Sequence, residues 1–330
     1  MARAPAISEF AAISRLEALF RDSSPHVELG IGDDAAVLKA AGRLVWTVDT
    51  AVEHVHFERR WLSLGDLGWR SFQAAASDVS AMAAAPVAAL SSVIFPAGFG
   101  DADLARLARG QRAAARALGC VVVGGNLSRG SELSITTTLL GRALRPLLRS
   151  GAKPGDELWL CGDLGLAALG LRLLQRGSKR LPNTAERRAL RAFRRPSAQL
   201  EAGLALARRA HAAIDISDGL AGDAAHLARA SDARLLIDVA ALEASLSPAL
   251  RTLAPQLGLT AVDLALYGGE DYAILAAGPA RARPSGVGVR VIGQVVAGRG
   301  VWLLQDGRLR RAGPGFEHSS GGRKPRGVGR

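Results

Sequence analysis

Apolar and polar positions repeat along the chain in two periods, which together predict a mixture of strands and helices. Residues 44–48 (LVWTV) predict a short strand that ends on Asp49. Residues 66–84 predict a helix, because apolar side chains recur on one of its faces. That face carries Trp69, Phe72, Ala76 and Val79. Asp78 points well away from it, since consecutive helical residues are rotated by about 100°.

The rest of the N-terminal half continues this mixture of elements. Strands rich in Val, Ile and Thr are predicted at residues 87–96, 120–126 and 132–144. Residues 101–119 predict an amphipathic helix that ends at Gly119. We therefore expect an α/β N-terminal domain over residues 1–147.

A second domain is predicted from the turn signal Pro154-Gly155-Asp156, which precedes a strand-like segment. The helices that follow are interrupted at Pro196. Further elements are predicted as a strand-turn-helix at 211–230, a strand at 234–240, helix to about residue 257, and strands at 287–296 and 300–312 with a hairpin turn at Asp306-Gly307. The 330 residues suffice for two domains, with the second at 148–312 and a Gly- and Arg-rich tail at 313–330.

The composition argues against a membrane-spanning protein, a secreted protein and a protein built on disulfides or cysteine-bound metal. Hydrophobic residues make up 48% of the chain, and no window approaches a membrane-spanning length without Gly, Pro or charge. Glu9, Arg15 and Glu17 interrupt any signal-peptide core. Cys120 and Cys161 lie in apolar segments without metal-ligand or disulfide spacing. A cytoplasmic protein with no membrane partner is expected.

The net charge of +12 raises the question of nucleic-acid binding. The densest basic segments are RRALRAFRRP at 187–196 and the tail GGRKPRGVGR at 321–330. Basic helices are usually solvated faces, and Gly/Arg tails are usually without fixed structure. We therefore expect no nucleic-acid partner.

Adjacent carboxylates at Asp33 and Asp34, in the segment ELGIGDDAAVL, first suggest a ligand site. GIGDDA matches the dinucleotide fingerprint formally, but no amphipathic helix follows it and both carboxylates would face a pyrophosphate. The chain also has no P-loop lysine motif. Two like charges this close need a positive partner.

Other acidic residues also stand at predicted strand ends or turns beside glycine. They are Asp49, Asp78, Asp215, Asp218, Glu270 and Asp271. Taken singly, Ser217 or Asp218 is most simply a helix cap, and YGGEDYAIL is an ordinary acidic turn. Taken together, the carboxylates suit Mg²⁺ that arrives with a nucleotide, while glycine lets backbone N–H groups approach the phosphates.

The order and spacing of seven motifs resemble the thiamine-monophosphate kinase family from about residue 8 to about residue 318. The motifs are ELGIGDDAAVL, TVDTAVEHVHF, SDVSAMAAAP, GGNLSRG, RSGAKPGD, IDISDGLAGDAAHL and YGGEDYAIL. The wider superfamily includes aminoimidazole ribonucleotide synthetase, selenophosphate synthetase and a hydrogenase-maturation protein. Selenophosphate synthetase is disfavoured because no Cys or Lys lies in the first 30 residues, and the hydrogenase-maturation protein because the C-terminus GVGR has no cysteine.

The resemblance implies a mixed N-terminal sheet that forms a barrel with a second subunit, and a C-terminal α/β domain packed against it. It implies direct transfer of the ATP γ-phosphoryl group to thiamine monophosphate, without a phospho-enzyme. A homodimer, several Mg²⁺ ions and ATP as co-substrate are expected with it. The alternatives are another ATP-dependent enzyme of the superfamily and a non-catalytic nucleotide-binding homologue.

The same resemblance assigns roles to individual residues. Metal ligands would be Asp34, Asp49, Asp78, Asp215 and Asp218, assisted by Thr47, Asp33 and Asn126. ATP would contact Gly125, Asn126, Arg149 and Ser217. Thiamine monophosphate would contact His56, Glu270 and Phe316, the last by packing on a thiamine ring. No covalent catalytic residue is expected.

Four positions depart from the family pattern. They are Val48 in place of Thr, Ala75 in place of Asn, Ala83 in place of Gly, and Asn126 in place of a metal-binding Asp. An Asn carbonyl ligates Mg²⁺ without contributing charge, so the departure at Asn126 bears on the number and affinity of bound ions.

Overall fold

The computed structural model describes residues 15–22, 24–29, 37–39, 42–177 and 181–313. The chain divides into two compact units, Met1–Pro146 and Leu147–Arg330. Within the described residues, no helix combines the length and apolar character needed to span a membrane. Asp33, Asp34 and Phe316, each assigned a role above, lie outside the described residues.

The described part of the N-terminal unit is a sheet with helices and a small antiparallel hairpin. Its elements are β1 (Val27–Leu29), β2 (Val37–Leu38), β3 (Arg43–Val52), α1 (Leu64–Ala81), β4 (Ala85–Phe95), α2 (Asp101–Ala117), β5 (Val121–Arg129) and β6 (Ser134–Ala143). β1 pairs with β2, and the larger sheet has the order β3-β6-β4-β5 with β4 and β5 parallel. The prediction of a mixed α/β architecture is confirmed.

Strand β3 corrects the prediction of a strand that ends on Asp49. β3 pairs with β6 from Arg43↔Ala143 to Val52↔Ser134, so Asp49 lies inside the strand, opposite Thr137. The partner strand β6 lies far away in the sequence. Its backbone N–H and C=O groups form hydrogen bonds with those of β3 beyond Asp49, so the strand continues past this polar residue. Local sequence did not predict that extension.

Helices α1 and α2 pack through glycines. A Cβ on Gly68 would lie 2.1 Å from the carbonyl oxygen of Leu107, and one on Gly110 would lie 2.0 Å from that of Gly65. Such backbone contact fixes the position of α1, whose last turn carries Asp78. The predicted apolar face is buried at Phe72, Ala76 and Val79, while Asp78 is half-buried.

One face of the N-terminal sheet exposes large apolar side chains. Along β3, Val45 is buried, whereas Leu44, Trp46 and Val48 are 50%, 72% and 63% exposed. Leu90 and Ile94 of β4 are also exposed. Patches of this kind mark interaction surfaces in soluble proteins.

The C-terminal unit is a mixed sheet packed with helices. Its elements are β7 (Glu157–Cys161), α3 (Leu166–Arg176), α4 (Thr184–Arg194), α5 (Leu200–Leu206), β8 (Ala212–Ile216), α6 (Leu220–Ala230), β9 (Arg234–Asp238), α7 (Val239–Ser245), α8 (Pro248–Gln256), α9 (Ala261–Tyr267), β10 (Ala273–Gly278), β11 (Arg290–Val296), β12 (Gly300–Gln305) and β13 (Arg308–Arg311). Among these described residues the sheet order is β13-β12-β9-β11-β7-β10-β8. β9 and β12 are parallel, and the other neighbours are antiparallel.

The predicted hairpin at Asp306-Gly307 is confirmed. Both residues have positive φ, 50° and 73°, as a two-residue turn of the primed type requires. The turn joins β12 to β13, which is an edge strand among the described residues and exposes Arg308, Arg310 and Arg311.

Both cysteines are buried and form no disulfide. Burial raises the pKa of Cys120 to about 12 and that of Cys161 to about 11. Thiols held in the protonated form are poor nucleophiles, so neither is a candidate for covalent chemistry.

Candidate functional site

The segment after β8 places a predicted metal ligand and a predicted ATP contact next to each other. Asp215 is buried near the end of β8, and Ser217 and Asp218 form the loop that enters α6. Gly219, with φ 101°, is the N-cap of α6, and its cap has no side-chain hydrogen bond. The reading of Ser217 or Asp218 as a helix cap is therefore wrong.

Asp223, in the first turn of α6, holds this loop. Its Oδ2 accepts hydrogen bonds from the backbone N–H groups of Ser217 and Asp218, both at 3.0 Å. A side chain from the helix itself therefore supports the backbone of this loop. Asp223 was assigned no role from the sequence, although it is the last acidic residue of the motif IDISDGLAGDAAHL.

Negative charge is concentrated around Asp223. Burial, together with the charges of Asp215 and Asp218, raises the pKa of Asp223 to about 7, although the two backbone hydrogen bonds lower it. Like charges that oppose ionisation in this way favour a cation in their neighbourhood.

The turn at residues 268–272 lies directly on the Ser217–Asp218 loop. The backbone N–H of Glu270 donates to the carbonyl of Ser217 at 2.7 Å, and that of Tyr272 donates to the carbonyl of Ile216 at 2.9 Å. Gly269 permits this contact, because a Cβ there would lie 2.6 Å from the Ser217 oxygen. Glu270 is thereby brought beside Ser217.

Glu270 and Tyr272 both adopt left-handed backbone conformations, with φ values of 72° and 50°. Non-glycine residues rarely adopt this region, and those that do concentrate at functional sites. The Tyr272 hydroxyl donates to Oε2 of Glu270 at 3.3 Å, which restricts the carboxylate. Glu270 therefore differs from an ordinary acidic turn in both its backbone conformation and its side-chain contact.

Asp271, between Glu270 and Tyr272, has a structural role that the sequence did not predict. Its buried carboxylate accepts from the backbone N–H groups of Gly165 at 2.6 Å and Ala167 at 3.2 Å, at the start of α3. Burial raises the pKa of Asp271 to about 7 in spite of these two hydrogen bonds. The acidic turn is thus tied to the start of α3 as well as to the Ser217 loop.

The raised pKa of Asp271 predicts a pH-dependent contribution to stability. Below the unfolded-state pKa of 3.8 both states are protonated, and as the pH rises to about 7 the unfolded state ionises first. Stability from this group therefore falls across that window. The Asp271→Asn variant cannot ionise, so its stability relative to wild type should rise by up to about 4 kcal/mol over the same window.

Urea unfolding of wild type and Asp271→Asn, each at about pH 5 and about pH 8, measures the upper part of this rise, roughly 2.7 kcal/mol for the two pH units between 5 and about 7. Changes that both proteins share, such as the titration of Asp223, cancel in the comparison. Parallel pH profiles for the two proteins would contradict the prediction.

In the N-terminal unit, the predicted ligands Thr47 and Asp78 are in contact. Oγ1 of Thr47 donates to Oδ2 of Asp78 at 2.6 Å. Asp49 lies two residues further along β3, on the same face as Thr47. Oγ1 of Thr137, opposite Asp49, is buried and has no hydrogen-bond partner among the described residues. An orphaned buried hydroxyl beside these carboxylates suits a polar or ionic ligand.

His56 follows β3 in a tight turn. The backbone N–H of Val52 donates to Nδ1 of His56 at 3.1 Å, so a neutral His56 carries its proton on Nε2. This tautomer can donate to an anionic oxygen.

Strand β5 carries the predicted ATP contacts Gly125 and Asn126. A Cβ on Gly125 would lie 1.8 Å from the carbonyl oxygen of Ser91 on β4, so packing alone requires glycine there. The amide nitrogen of Asn126 donates to Oγ of Ser128 at 3.1 Å, which directs its carbonyl oxygen elsewhere. Arg149, in the C-terminal unit, has an exposed side chain, and its backbone carbonyl accepts from Oγ of Ser231.

The donor set has the chemistry of a magnesium site. In the described residues, no three His, Cys, Asp or Glu side chains converge closely enough to hold a metal ion by themselves. The oxygens available are those of carboxylates, a threonine hydroxyl and an asparagine amide, which are the ligands Mg²⁺ prefers. Mg²⁺ usually takes few protein carboxylates and completes its shell with waters and phosphate oxygens. The residues present therefore fit this ion.

Comparison with known proteins agrees with this chemistry. Residues 32–143 match the family model described as AIR synthase related protein, N-terminal domain. The thiamine-monophosphate kinase of Mycobacterium tuberculosis is 36% identical over 297 residues, which cover 88% of this chain and 86% of that protein. The crystal structure of the same enzyme from Stenotrophomonas maltophilia is 33% identical, with a TM-score of 0.79 over 92% of this chain and 98% of that chain. The structure of AaThiL complexed with AMPPCP and TMP is 31% identical, also with a TM-score of 0.79, over 94% and 96% of the two chains.

Proposed function

This chain belongs to the thiamine-monophosphate kinase family, and on that premise we propose how its own residues serve the reaction. The reaction is ATP-dependent phosphorylation of thiamine monophosphate (TMP). A phosphate oxygen of TMP forms a bond to the γ-phosphorus of ATP, and the bond from that phosphorus to the β–γ bridging oxygen breaks. Thiamine diphosphate and ADP are the products.

Several acidic and polar side chains neutralise and position the phosphates. Mg²⁺ would be held by Asp34, Asp49, Asp78, Asp215 and Asp218, with Asp33, Thr47 and Asn126 in support. When bound, Mg²⁺ supplies the charge neutralisation that phosphoryl transfer requires. Gly125, Asn126, Arg149 and Ser217 contact ATP, and the Arg149 guanidinium offers a fork of donors to phosphate.

The acceptor is already a phosphate, so its attacking oxygen needs no strong general base. Nε2–H of His56 donates to the TMP phosphate, and Glu270 and Phe316 hold the thiamine part, Phe316 by packing on a ring. Glu270 is held for this role by Ser217 and Tyr272.

The observation that supports this proposal is the hydrogen bond from the backbone N–H of Glu270 to the carbonyl of Ser217, because it puts the residue proposed for TMP beside the loop proposed for ATP. The test is incubation of the full chain with ATP, Mg²⁺ and TMP, with thiamine diphosphate and ADP both quantified. Equimolar formation of the two products supports the kinase. ATP binding without thiamine diphosphate would instead favour the non-catalytic nucleotide-binding homologue.

Asn126 should weaken the binding of Mg²⁺ at one position, because the family carries Asp there. The charge of the ligands is one factor that sets the affinity for a divalent ion. The Asn126→Asp variant is therefore expected to need less Mg²⁺, with the half-maximal concentration lowered by about tenfold for roughly 1.4 kcal/mol of added attraction. A Mg²⁺ titration of initial rate at saturating ATP measures this midpoint.

The matched control is Asn126→Ala, which changes the same position without adding charge. It should leave the midpoint unchanged or raise it. An unchanged or higher midpoint in Asn126→Asp would show that residue 126 does not tune the metal site.

We further propose that the chain forms a homodimer through the exposed face of the N-terminal sheet. Support comes from the exposed side chains of Leu44, Trp46, Val48, Leu90 and Ile94. A second copy of the same face would cover them with a matching apolar surface, as isologous dimers do.

A further inference from the structure

A cavity of about 460 Å³ in the C-terminal unit is rich in guanidinium groups. Its lining includes Arg188 and Arg191 of α4, Arg195 directly after α4, and Arg290 at the start of β11. A volume of this size is typical of small-molecule pockets. The lining contains none of the residues proposed above to bind Mg²⁺, ATP or thiamine.

The start of α4 fixes the arginines that line the cavity. The Asn183 side chain caps the helix by accepting from the N–H of Glu186 at 2.9 Å, and the Glu186 carboxylate accepts from the N–H of Asn183 at 2.8 Å. Such a reciprocal capping box sets the register of the helix. Arg188, Arg191 and Arg195 then follow at spacings of three and four residues, which bring them to one side.

Arg290, which also lines the cavity, is held in place by hydrogen bonds. Its guanidinium donates to the carbonyl of Ser245 at 3.0 Å and to the carbonyl of Gly162. Its Nε is buried and has no hydrogen-bond partner among the described residues. A guanidinium fixed in this way loses little conformational entropy when an anion binds.

The two carboxylates of the cavity, Asp163 and Asp271, do not neutralise the positive charge of its arginines. Asp163 is shared between Arg188 at 2.8 Å and Arg290 at 3.4 Å. Asp271 directs its oxygens to the backbone N–H groups at the start of α3. The side chain of Arg191 is exposed. The cavity therefore carries an excess of positive charge.

The remaining lining is largely apolar and includes Leu166, Ala192, Pro196 and Val287. Guanidinium forks match the geometry of phosphate and bind it through paired hydrogen bonds. Apolar side chains beside them suit the carbon skeleton of a ligand.

We propose that this cavity is a second ligand site, which binds a small organic diphosphate without a divalent metal. The diphosphate lies against Arg188, Arg191 and Arg290, and the organic part contacts the apolar lining. Because the arginines supply the positive charge themselves, binding here differs chemically from binding at the carboxylates, where Mg²⁺ must neutralise the phosphates.

The test is calorimetric titration of the full chain in EDTA with inorganic diphosphate, ADP and thiamine diphosphate. We expect saturable binding at one site per chain, with at least one organic diphosphate bound more tightly than inorganic diphosphate. The double variant Arg188→Gln/Arg191→Gln should weaken that binding by about 10²-fold or more, since it removes two charged groups that donate hydrogen bonds to the diphosphate.

Arg187→Gln is the matched control, because Arg187 lies on the same helix and instead donates to the carbonyl of Pro182 and to Thr184. It should bind like wild type, and thermal unfolding checks that all variants are folded. Binding that requires Mg²⁺, or equal affinity in the double variant, would overturn the site. If inorganic diphosphate binds as tightly as ADP and thiamine diphosphate, the assignment of an organic ligand is overturned.

Discussion

Replacing Asp78 by asparagine should lower kcat/KM for TMP by about 10³-fold, equivalent to roughly 4 kcal/mol of transition-state stabilisation. Asp78 occupies the last turn of α1 and accepts a hydrogen bond from Thr47 at 2.6 Å. The asparagine carbonyl can accept the same hydrogen bond, so the local structure should persist. What the variant lacks is one negative charge in the proposed magnesium site.

Steady-state kinetics over a range of Mg²⁺ concentrations measures this loss. Asp66→Asn is the control, because Asp66 lies in the first turn of the same helix and makes a hydrogen bond with Ser63. It should keep nearly all of the activity. If Asp78→Asn keeps full activity at limiting Mg²⁺, Asp78 is not a metal ligand. If its unfolding temperature falls strongly, Asp78 has a structural role instead.

Introducing a carboxylate at Trp46 should dissociate the proposed homodimer. Trp46 is 72% exposed in the single chain, and the dimer would bury it on the sheet face. Trp46→Asp places one carboxylate from each copy in an apolar interface, which costs several kcal/mol per charge. The dimer dissociation constant should therefore rise by at least about 10³-fold.

Analytical ultracentrifugation across a concentration series measures the dissociation constant. Trp46→Phe keeps an aromatic side chain and should remain dimeric. Leu309→Asp adds the same charge at a residue that is 55% exposed in the C-terminal unit, and it should not change the assembly. A wild-type chain that stays monomeric at micromolar concentration would refute the proposed homodimer.

Features set by local sequence were predictable. The Asp306-Gly307 turn needs only two residues that tolerate positive φ, and the Asp218-Gly219 turn before α6 likewise follows from its glycine. The long helices α1 and α2 followed from periodic apolar positions. In each case the determining residues lie within a few positions of one another.

Features set by distant contacts were not predictable. β3 extends beyond Asp49 because β6, some ninety residues later in the chain, pairs with its whole length. The carboxylate of Asp271 accepts a hydrogen bond from the backbone N–H of Gly165 at the start of α3. These two residues are 106 positions apart in the sequence, so no local pattern indicates their contact. The individual roles of the site residues came from resemblance, because spacing alone could not separate a metal ligand from a turn.

The arginine-rich edge strand β13 has a consequence for how the chain behaves at high concentration. An unpaired strand edge is a template on which another chain can extend the sheet, the first step of ordered aggregation. In β13, three of four residues are exposed arginines, so two copies meeting edge to edge would bring guanidinium groups together. The positive charge thus acts as a barrier to polymerisation at this edge of the sheet, and the protein should remain dispersed at concentrations where a neutral edge would seed fibres.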